Sequence, residues 1–317
     1  MKKNIVPSHS SNVINRHAPE IQEQLADTIN EALHVHPSLA TYALIDTAFS
    51  ETCISRYKKM HANTHVMSLY AGTELNELTD VSPCLVQLPS DPSLRKQGLA
   101  TLLRLTNGKP MISVLLSAFD LESLKAHFSA FLQAETEDGQ RFVLRFADTR
   151  ILPVLIATLD QEPLAYLLSP IVHWLTIDRM GKLNRLLPLD DELHNTQVTP
   201  PFSALPLSAN QFSTLLDAAE PDAIIEHLQL IAPEHCSTFA PGSLHQFVDE
   251  QLQHATHFGV TGTPDRIAYC IGAFNINGKL HEDRHAKALF TEKRWQPGDL
   301  ANALAELPDE CWQMEAA

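Results

Sequence analysis

The apolar segment "PMISVLLSAF" (residues 110–119) constrains the fold more than any other stretch of the chain. Its apolar residues do not alternate with polar ones, which is typical of a central strand covered on both faces. Strand-like and helix-like segments alternate around it from about residue 39 to about residue 147. This order predicts an α/β layer, a mixed sheet with flanking helices. Its predicted strands include "ATYALID", "THVMSLY", "CLVQL" and "RFVLRF", and its predicted helices include "DLESLKAHFSAFLQA" (120–134).

The last third of the chain has a different pattern. The segment "DELHNTQVTPPFSALP" (191–206) is polar and rich in proline, which is typical of a linker. Beyond it every periodic segment is helical, with Ser208 and Ser243 as predicted caps and "PDAIIEHLQLI" as a separate helix. A chain of 317 residues also exceeds the usual size of a single core. We therefore predict a flexible tail over 1–17, an α/β lobe over 18–198 and an all-α lobe over 199–317.

Charge and cysteine usage limit the partners and the compartment. The net charge is −15, and residues 200–317 hold 16 acidic but only 6 basic side chains. This excess disfavours nucleic acid or an anionic membrane as a partner, and it suits either a basic protein partner or solubility alone. The five cysteines include no C-x-x-C pair, which fits a reducing compartment. No segment has the pattern of a signal peptide or a membrane span, so a cytoplasmic protein is expected.

One motif suggests an enzyme. The segment "HEDRH" (281–285) matches H-E-x-x-H, which on a helix places His281 and His285 on one face as zinc ligands with Glu282 as the base. Its two inner positions are charged, and no third ligand stands at the expected spacing. The alternative is a surface helix that packs Ala286 and Leu289. No Walker loop, G-x-G-x-x-G or G-x-S-x-G motif occurs, so we expect no cofactor and no catalytic activity.

A charged trio lies in "RFADTR", where Arg145, Asp148 and Arg150 precede the apolar run "ILPVLIATL". A strand is predicted to end here and a helix to begin, so Asp148 is placed to accept N–H groups at the helix start. Arg145 and Arg150 could then reach Asp148 or neighbouring carbonyls, and a bidentate arginine–carboxylate pair would form a brace. The same residues could instead contact a partner or clamp an anionic substrate. The sequence leaves the three roles open.

Four blocks appear in an order that resembles a known family. They are "TYALIDTA" (41–48), "SLYAGTELNELTDVSPCLVQL" (68–88), residues 108–159 and "LSPIVHWL" (168–175). Together they resemble the adaptor chaperones of bacterial type VI secretion, a family long catalogued as a domain of unknown function. "RFADTR" is similar to the family's Arg-Phe-aromatic-Asp-x-Arg signature, although Ala147 stands where the family commonly has an aromatic residue. Residues after 200 resemble the family only loosely, in the order of their helices and in the late "GAF" segment (272–274).

The resemblance implies a function. Members bind a toxic effector in the cytoplasm and help to mount it on the valine-glycine-repeat spike, VgrG, without catalysis. The expected partners are therefore a secreted effector protein and the VgrG spike protein. Candidate partner-binding residues within the family-like blocks are Tyr42, Asp46, Tyr70 and Trp174. The acidic helical lobe, which is least similar to the family, is a candidate effector surface.

Overall fold

The structure is a computed structural model that describes residues 13–186 and 200–312. The chain forms two compact units, Met1–Leu215 and Leu216–Ala317. This boundary lies after residues 199–215, which the sequence placed in the helical lobe. The reason is that Leu205–Leu207 forms a strand that pairs within the first unit. Residues 187–199, which include residues 191–199 of the predicted linker, lie outside the described residues, as do residues 1–12 of the predicted tail.

The fold class predicted from the sequence is confirmed. The strands of the first unit, in chain order, are β1 (Ala40–Asp46), β2 (Val66–Ser68), β3 (Pro83–Gln87), β4 (Ile112–Ser117), β5 (Gln133–Thr136), β6 (Arg141–Val143), β7 (His173–Ile177), β8 (Leu183–Arg185) and β9 (Leu205–Leu207). Its helices are α1 (Ile21–Val35), α2 (Cys53–Met60), α3 (Pro92–Thr106), α4 (Leu121–Ser129), α5 (Leu152–Thr158) and α6 (Gln161–Leu168). Short 3₁₀ helices follow β1, at Thr47–Phe49, and precede β3, at Asn76–Val81.

The main sheet has the order β2-β3-β1-β4-β7-β8, with every neighbouring pair antiparallel. All six residues of β4 are buried, as expected of a strand covered on both faces. Ala43, Ile45 and Val114 point to one face, in the cluster that includes residues of α1, α2 and α3. Tyr42 and Leu115 point to the other face, toward α4, α5 and α6. Strand β4 is therefore the covered central strand that its composition predicts.

A second, small sheet has the order β6-β5-β9, in which β5 is antiparallel to β6 and parallel to β9. The helix predicted over residues 120–134 ends at Ser129, because the chain then turns and β5 pairs with both neighbours. Phe131 and Leu132, which fit the helical stripe of the sequence, are buried in the same core from the turn instead. Tertiary pairing here overrides the local helical periodicity.

The N-terminal segment before α1 is packed against the first unit from residue 13 onward. The N–H groups of Val13 and Ile14 donate to the carbonyl of Gly108, and the Ile14 side chain lies in the core beside α1. Further along, the Asn15 N–H donates to the Arg179 carbonyl. The described part of the predicted tail is therefore held by backbone hydrogen bonds and one buried apolar side chain.

The second unit is helical, as predicted. The long helix α7 (Ala209–Ile231) crosses the boundary and is followed by α8 (Pro233–Cys236), α9 (Pro241–His257), α10 (Thr263–Asn275), α11 (Arg284–Thr291) and α12 (Leu300–Ala305).

A capping box starts α7, since Ser208 Oγ accepts the Gln211 N–H while Gln211 Oε1 accepts the Ser208 N–H. The helix then continues through Pro221, so the two helices predicted here are one. Helix α9 begins at Pro241, two residues before the predicted cap Ser243. No helix among the described residues is long and apolar enough to cross a membrane.

A buried histidine predicts acid sensitivity of the first unit. The His127 ring lies in the core, its Nε2 is 3.2 Å from the Leu167 carbonyl oxygen, and burial lowers its pKa to about 4. Because this pKa is below that of the unfolded chain, protonation of His127 favours unfolding. The first unit therefore keeps its full stability above pH 6.5 and loses part of it as the pH falls toward 4. A pKa difference of this size between the folded and unfolded states corresponds to about 3 kcal/mol of unfolding free energy. Urea unfolding of the wild type and of His127→Gln between pH 7 and pH 4 should therefore give a smaller acid loss for the variant. If both proteins lose the same unfolding free energy between pH 7 and pH 4, His127 does not cause the acid sensitivity.

Candidate functional site

Asp148 and Arg150 form a brace in the turn that leads from β6 to α5. Arg150 donates from Nε to Oδ1 of Asp148 over 3.1 Å and from Nη2 to Oδ2 over 2.7 Å. Asp148 Oδ1 also accepts the backbone N–H of Arg150, and both side chains are largely buried. The pairing that the sequence suggested is present, but the predicted cap is displaced. Helix α5 begins at Leu152, and the Asp148 backbone carbonyl, rather than its carboxylate, accepts the N–H groups of Ile151 and Leu152.

Arg145 does not bind Asp148. Its Nη2 and Nε donate to Oδ2 of Asp46, over 2.8 and 3.2 Å. Asp46 ends β1, and its other carboxylate oxygen accepts the Ala48 N–H at the start of the following 3₁₀ helix. The Asp46 side chain is only 1% exposed, whereas that of Arg145 is 41% exposed. Burial raises the pKa of the Asp46 carboxyl, and the nearby Arg145 guanidinium opposes this shift.

The aromatic ring of Phe49 connects the two ion pairs. The guanidinium carbon of Arg145 lies 4.8 Å from the ring centre, and that of Arg150 lies 5.2 Å from it. Contacts of this kind contribute about 0.5–1 kcal/mol each at partly exposed sites. Lys109 reaches the same place, because its Nζ donates to the Phe49 carbonyl oxygen. We call the set Asp46, Phe49, Arg145, Asp148 and Arg150 the charged corner.

The charged corner can hold structure and also bind. Its two carboxylates are enclosed and paired, so they join the end of β1 to the turn before α5. Arg145 is half-exposed, and its guanidinium offers donors to an approaching carboxylate or carbonyl. Phe49 was not predicted from the sequence. Asp46 was predicted to bind a partner protein, but not to form an ion pair with Arg145. Asp46 and Arg145 are 99 residues apart, so no local pattern relates them.

The other three candidate partner-binding residues lie in the interior. Tyr42, Tyr70 and Trp174 all belong to the core between the main sheet and α4. The Tyr42 hydroxyl donates to the Phe119 carbonyl, and Trp174 Nε1 donates to Ser113 Oγ. Burial raises the pKa of Tyr42 and of Tyr70 to about 12. In this structure these side chains pack the core and do not form a surface.

The "HEDRH" segment does not lie on one helix. Helix α11 begins at Arg284, and Asp283 is its N-cap, accepting the N–H groups of His285 and Ala286. His281 therefore precedes the helix, and its ring stacks on His254 with a centroid distance of 3.7 Å. His285 instead faces Glu310, at 3.1 Å. In the described part of the chain, no group of three or more His, Cys, Asp or Glu side chains could hold a metal ion. The shared helix face on which the zinc hypothesis depended is not formed.

One comparison with known proteins gives a match. The model of a family described as a domain of unknown function, DUF4123, matches residues 41–166. This stretch is about two fifths of the chain; it runs from β1 into α6 and contains the whole charged corner. The family is associated with effector adaptors of type VI secretion. No curated protein and no solved structure matches the chain.

Proposed function

We propose that this chain is a non-catalytic adaptor that binds a toxic effector of the type VI secretion system in the cytoplasm and helps to load it onto the VgrG spike. The observation that carries the proposal is the family match over residues 41–166. The matched residues supply the two central strands of the main sheet, β1 and β4, and every member of the charged corner. The part of the chain that resembles adaptors is thus the framework of the first unit.

The geometry of the charged corner supports a binding role more than a chemical one. Its carboxylates are paired with arginines, and Arg150 is held by Asp148 in a bidentate contact. Paired and enclosed groups of this kind maintain a fixed shape. The exposed edge of Arg145 is the part of the corner that a protein partner can reach.

Co-purification with the expected partners tests the proposal. The full-length chain, tagged and expressed in its native bacterium, should retain one effector and a VgrG protein at near-stoichiometric amounts. Purified VgrG and effector should then form a ternary complex with the chain in size-exclusion chromatography. Retention of sheath or baseplate proteins without an effector would contradict the proposal, as would stoichiometric zinc that is lost on His281→Ala.

We further propose that the acidic second unit steers association with a basic effector surface. Residues 200–317 include 16 acidic and 6 basic side chains, and α7 adds exposed apolar residues at Leu230 and Ile231. Long-range attraction is screened by salt, whereas short-range contacts are affected much less. Raising ionic strength from about 0.05 to about 0.3 M should therefore slow effector association roughly tenfold in stopped-flow measurements, with little change in dissociation. An association rate that does not depend on salt would mean that the acidic residues only keep the protein soluble.

A further inference from the structure

A cleft on the first unit is separate from the charged corner. It lies where the N-terminal end of β1 and the C-terminal end of β3 meet α1 and the first turn of α3, with a volume of about 940 Å³. Apolar side chains form much of its wall, among them Leu33, Leu39, Leu88 and Leu94, together with Pro37, Pro89 and Pro92. We call it the Arg95 cleft, after its one arginine.

Arg95 is a buried cation whose partners are all neutral. It is 5% exposed, and it donates to the carbonyl oxygens of Ser90 and Pro89 and to the side-chain oxygen of Asn30. Its contacts within the described residues include no ion pair with a carboxylate. Asp91 stabilises the Arg95 charge electrostatically without forming an ion pair with it, and its Oδ1 accepts the Leu94 N–H as the cap of α3. A buried cation that no carboxylate contacts directly is costly, so the site favours an anionic ligand.

A second, independent observation points to a ligand in the same place. Thr41 lines the cleft and is 3% exposed, yet its hydroxyl has no hydrogen-bond partner. A buried hydroxyl left without a partner is destabilising. Gln87, Asn63 and Thr64 add further polar groups to the lining. A ligand with an acidic group would pair with Arg95, and one with further hydrogen-bonding atoms would also bond the Thr41 hydroxyl once that side chain turns toward the cleft.

The shape and the charge of the molecule narrow the ligand class. The volume of the Arg95 cleft exceeds that of a small anion, and its apolar wall suits the apolar side chains of a peptide. Arg95 also lines a neighbouring cleft of about 260 Å³ with Ala26, Asp27 and Lys96, so an extended chain can pass on both sides of it. The net charge of −15 disfavours a polyanion, but it permits one carboxylate at a buried cation.

From these contacts we infer that the Arg95 cleft binds an extended peptide segment of a protein partner, with one internal Asp or Glu side chain on Arg95 and apolar residues on either side. The inference rests on the contacts of Arg95 and Thr41 and not on the family match, so it and the proposed adaptor function can each fail without the other.

A peptide array tests the inference with the full-length protein. The probes are N-acetylated, C-terminally amidated decapeptides with apolar flanks and either Glu or Gln at the centre. The best pair is then measured by fluorescence anisotropy. We expect the Glu peptide to bind at least tenfold more tightly than its Gln partner. Equal affinities within every pair would overturn the inference.

Four variants locate the binding. Arg95→Gln should abolish the preference for Glu, whereas Arg104→Gln, which removes a charge from the same helix outside the cleft, should not. Thr41→Val should weaken binding several-fold without loss of thermal stability, because it removes an unpaired hydroxyl. Thr176→Val removes a similar unpaired, buried hydroxyl elsewhere in the sheet and should leave binding unchanged. Normal binding by folded Arg95→Gln would overturn the inference.

Three further arms protect against misfolding and distinguish the source of the anion. Leu94 is 53% exposed at the rim, so Leu94→Glu should keep the fold and still repel the acidic peptide if Arg95→Gln does not fold. Unchanged binding by Leu94→Glu would overturn the inference. Preference for a decapeptide with a free C-terminal carboxylate and no Glu would instead indicate a chain-terminus pocket. Inorganic phosphate that competes at equal concentration would indicate a small-anion site, and each of these two results overturns the peptide assignment.

Discussion

Replacing Asp148 with alanine is expected to lower the free energy of unfolding by about 3 kcal/mol, because it removes one partner of a largely enclosed ion pair. The Arg150 guanidinium would lose its three hydrogen bonds to the carboxylate, and the backbone N–H of Arg150 would lose its acceptor on Asp148. Phe49 would lie beside a cation that has lost the Asp148 carboxylate. Urea unfolding at pH 7 measures the change.

The control is an exposed pair of the same chemistry. Glu135 and Arg141 form an ion pair of 2.6 Å between β5 and β6, with both side chains more than a third exposed. Glu135→Ala should therefore cost less than about 1 kcal/mol. If Asp148→Ala is no more destabilising than Glu135→Ala but abolishes partner binding, the charged corner is an interface and not a brace.

Gly181→Ala is expected to lower the free energy of unfolding by about 2–5 kcal/mol, through backbone strain and steric overlap together. Gly181 turns the hairpin between β7 and β8 with a φ of +77°, in the left-handed region. A Cβ at this position would overlap the carbonyl oxygen of Arg16. The Ala18 N–H, which donates to the Gly181 carbonyl, would be displaced with the N-terminal segment.

Gly139→Ala separates the two causes. Gly139 turns the β5–β6 hairpin with a φ of +79°, but no atom lies within 4 Å of the position that a Cβ would occupy there. Its substitution should show the strain alone, about 1–2 kcal/mol. Hydrogen exchange should also accelerate at the Ala18 amide in Gly181→Ala and remain normal there in Gly139→Ala. Equal destabilisation of the two variants would show that the N-terminal segment does not need its close approach to Gly181.

Local patterns in the sequence were sufficient for most elements of the first unit. The covered strand β4 and the start of the helix after it depend on neighbouring residues, and both are present. The Asp148–Arg150 pair was also predictable, because its members are two residues apart and their side chains reach each other within one turn. The all-α character of the second unit followed from its periodicity in the same way.

The tertiary structure decided what depends on distant partners. Arg145 binds Asp46 and not Asp148 because the sheet brings the end of β1 beside the turn before α5, and local propensity does not encode strand order. Strand β9 belongs to the first unit for the same reason, since its partner β5 lies about 70 residues earlier. The "HEDRH" segment fails as a helix motif because Asp283 is more stable as a cap than as an interior residue of a helix. The Arg95 cleft, too, depends on tertiary packing, because its walls come from α1, α3 and the ends of two strands that are separated in the sequence.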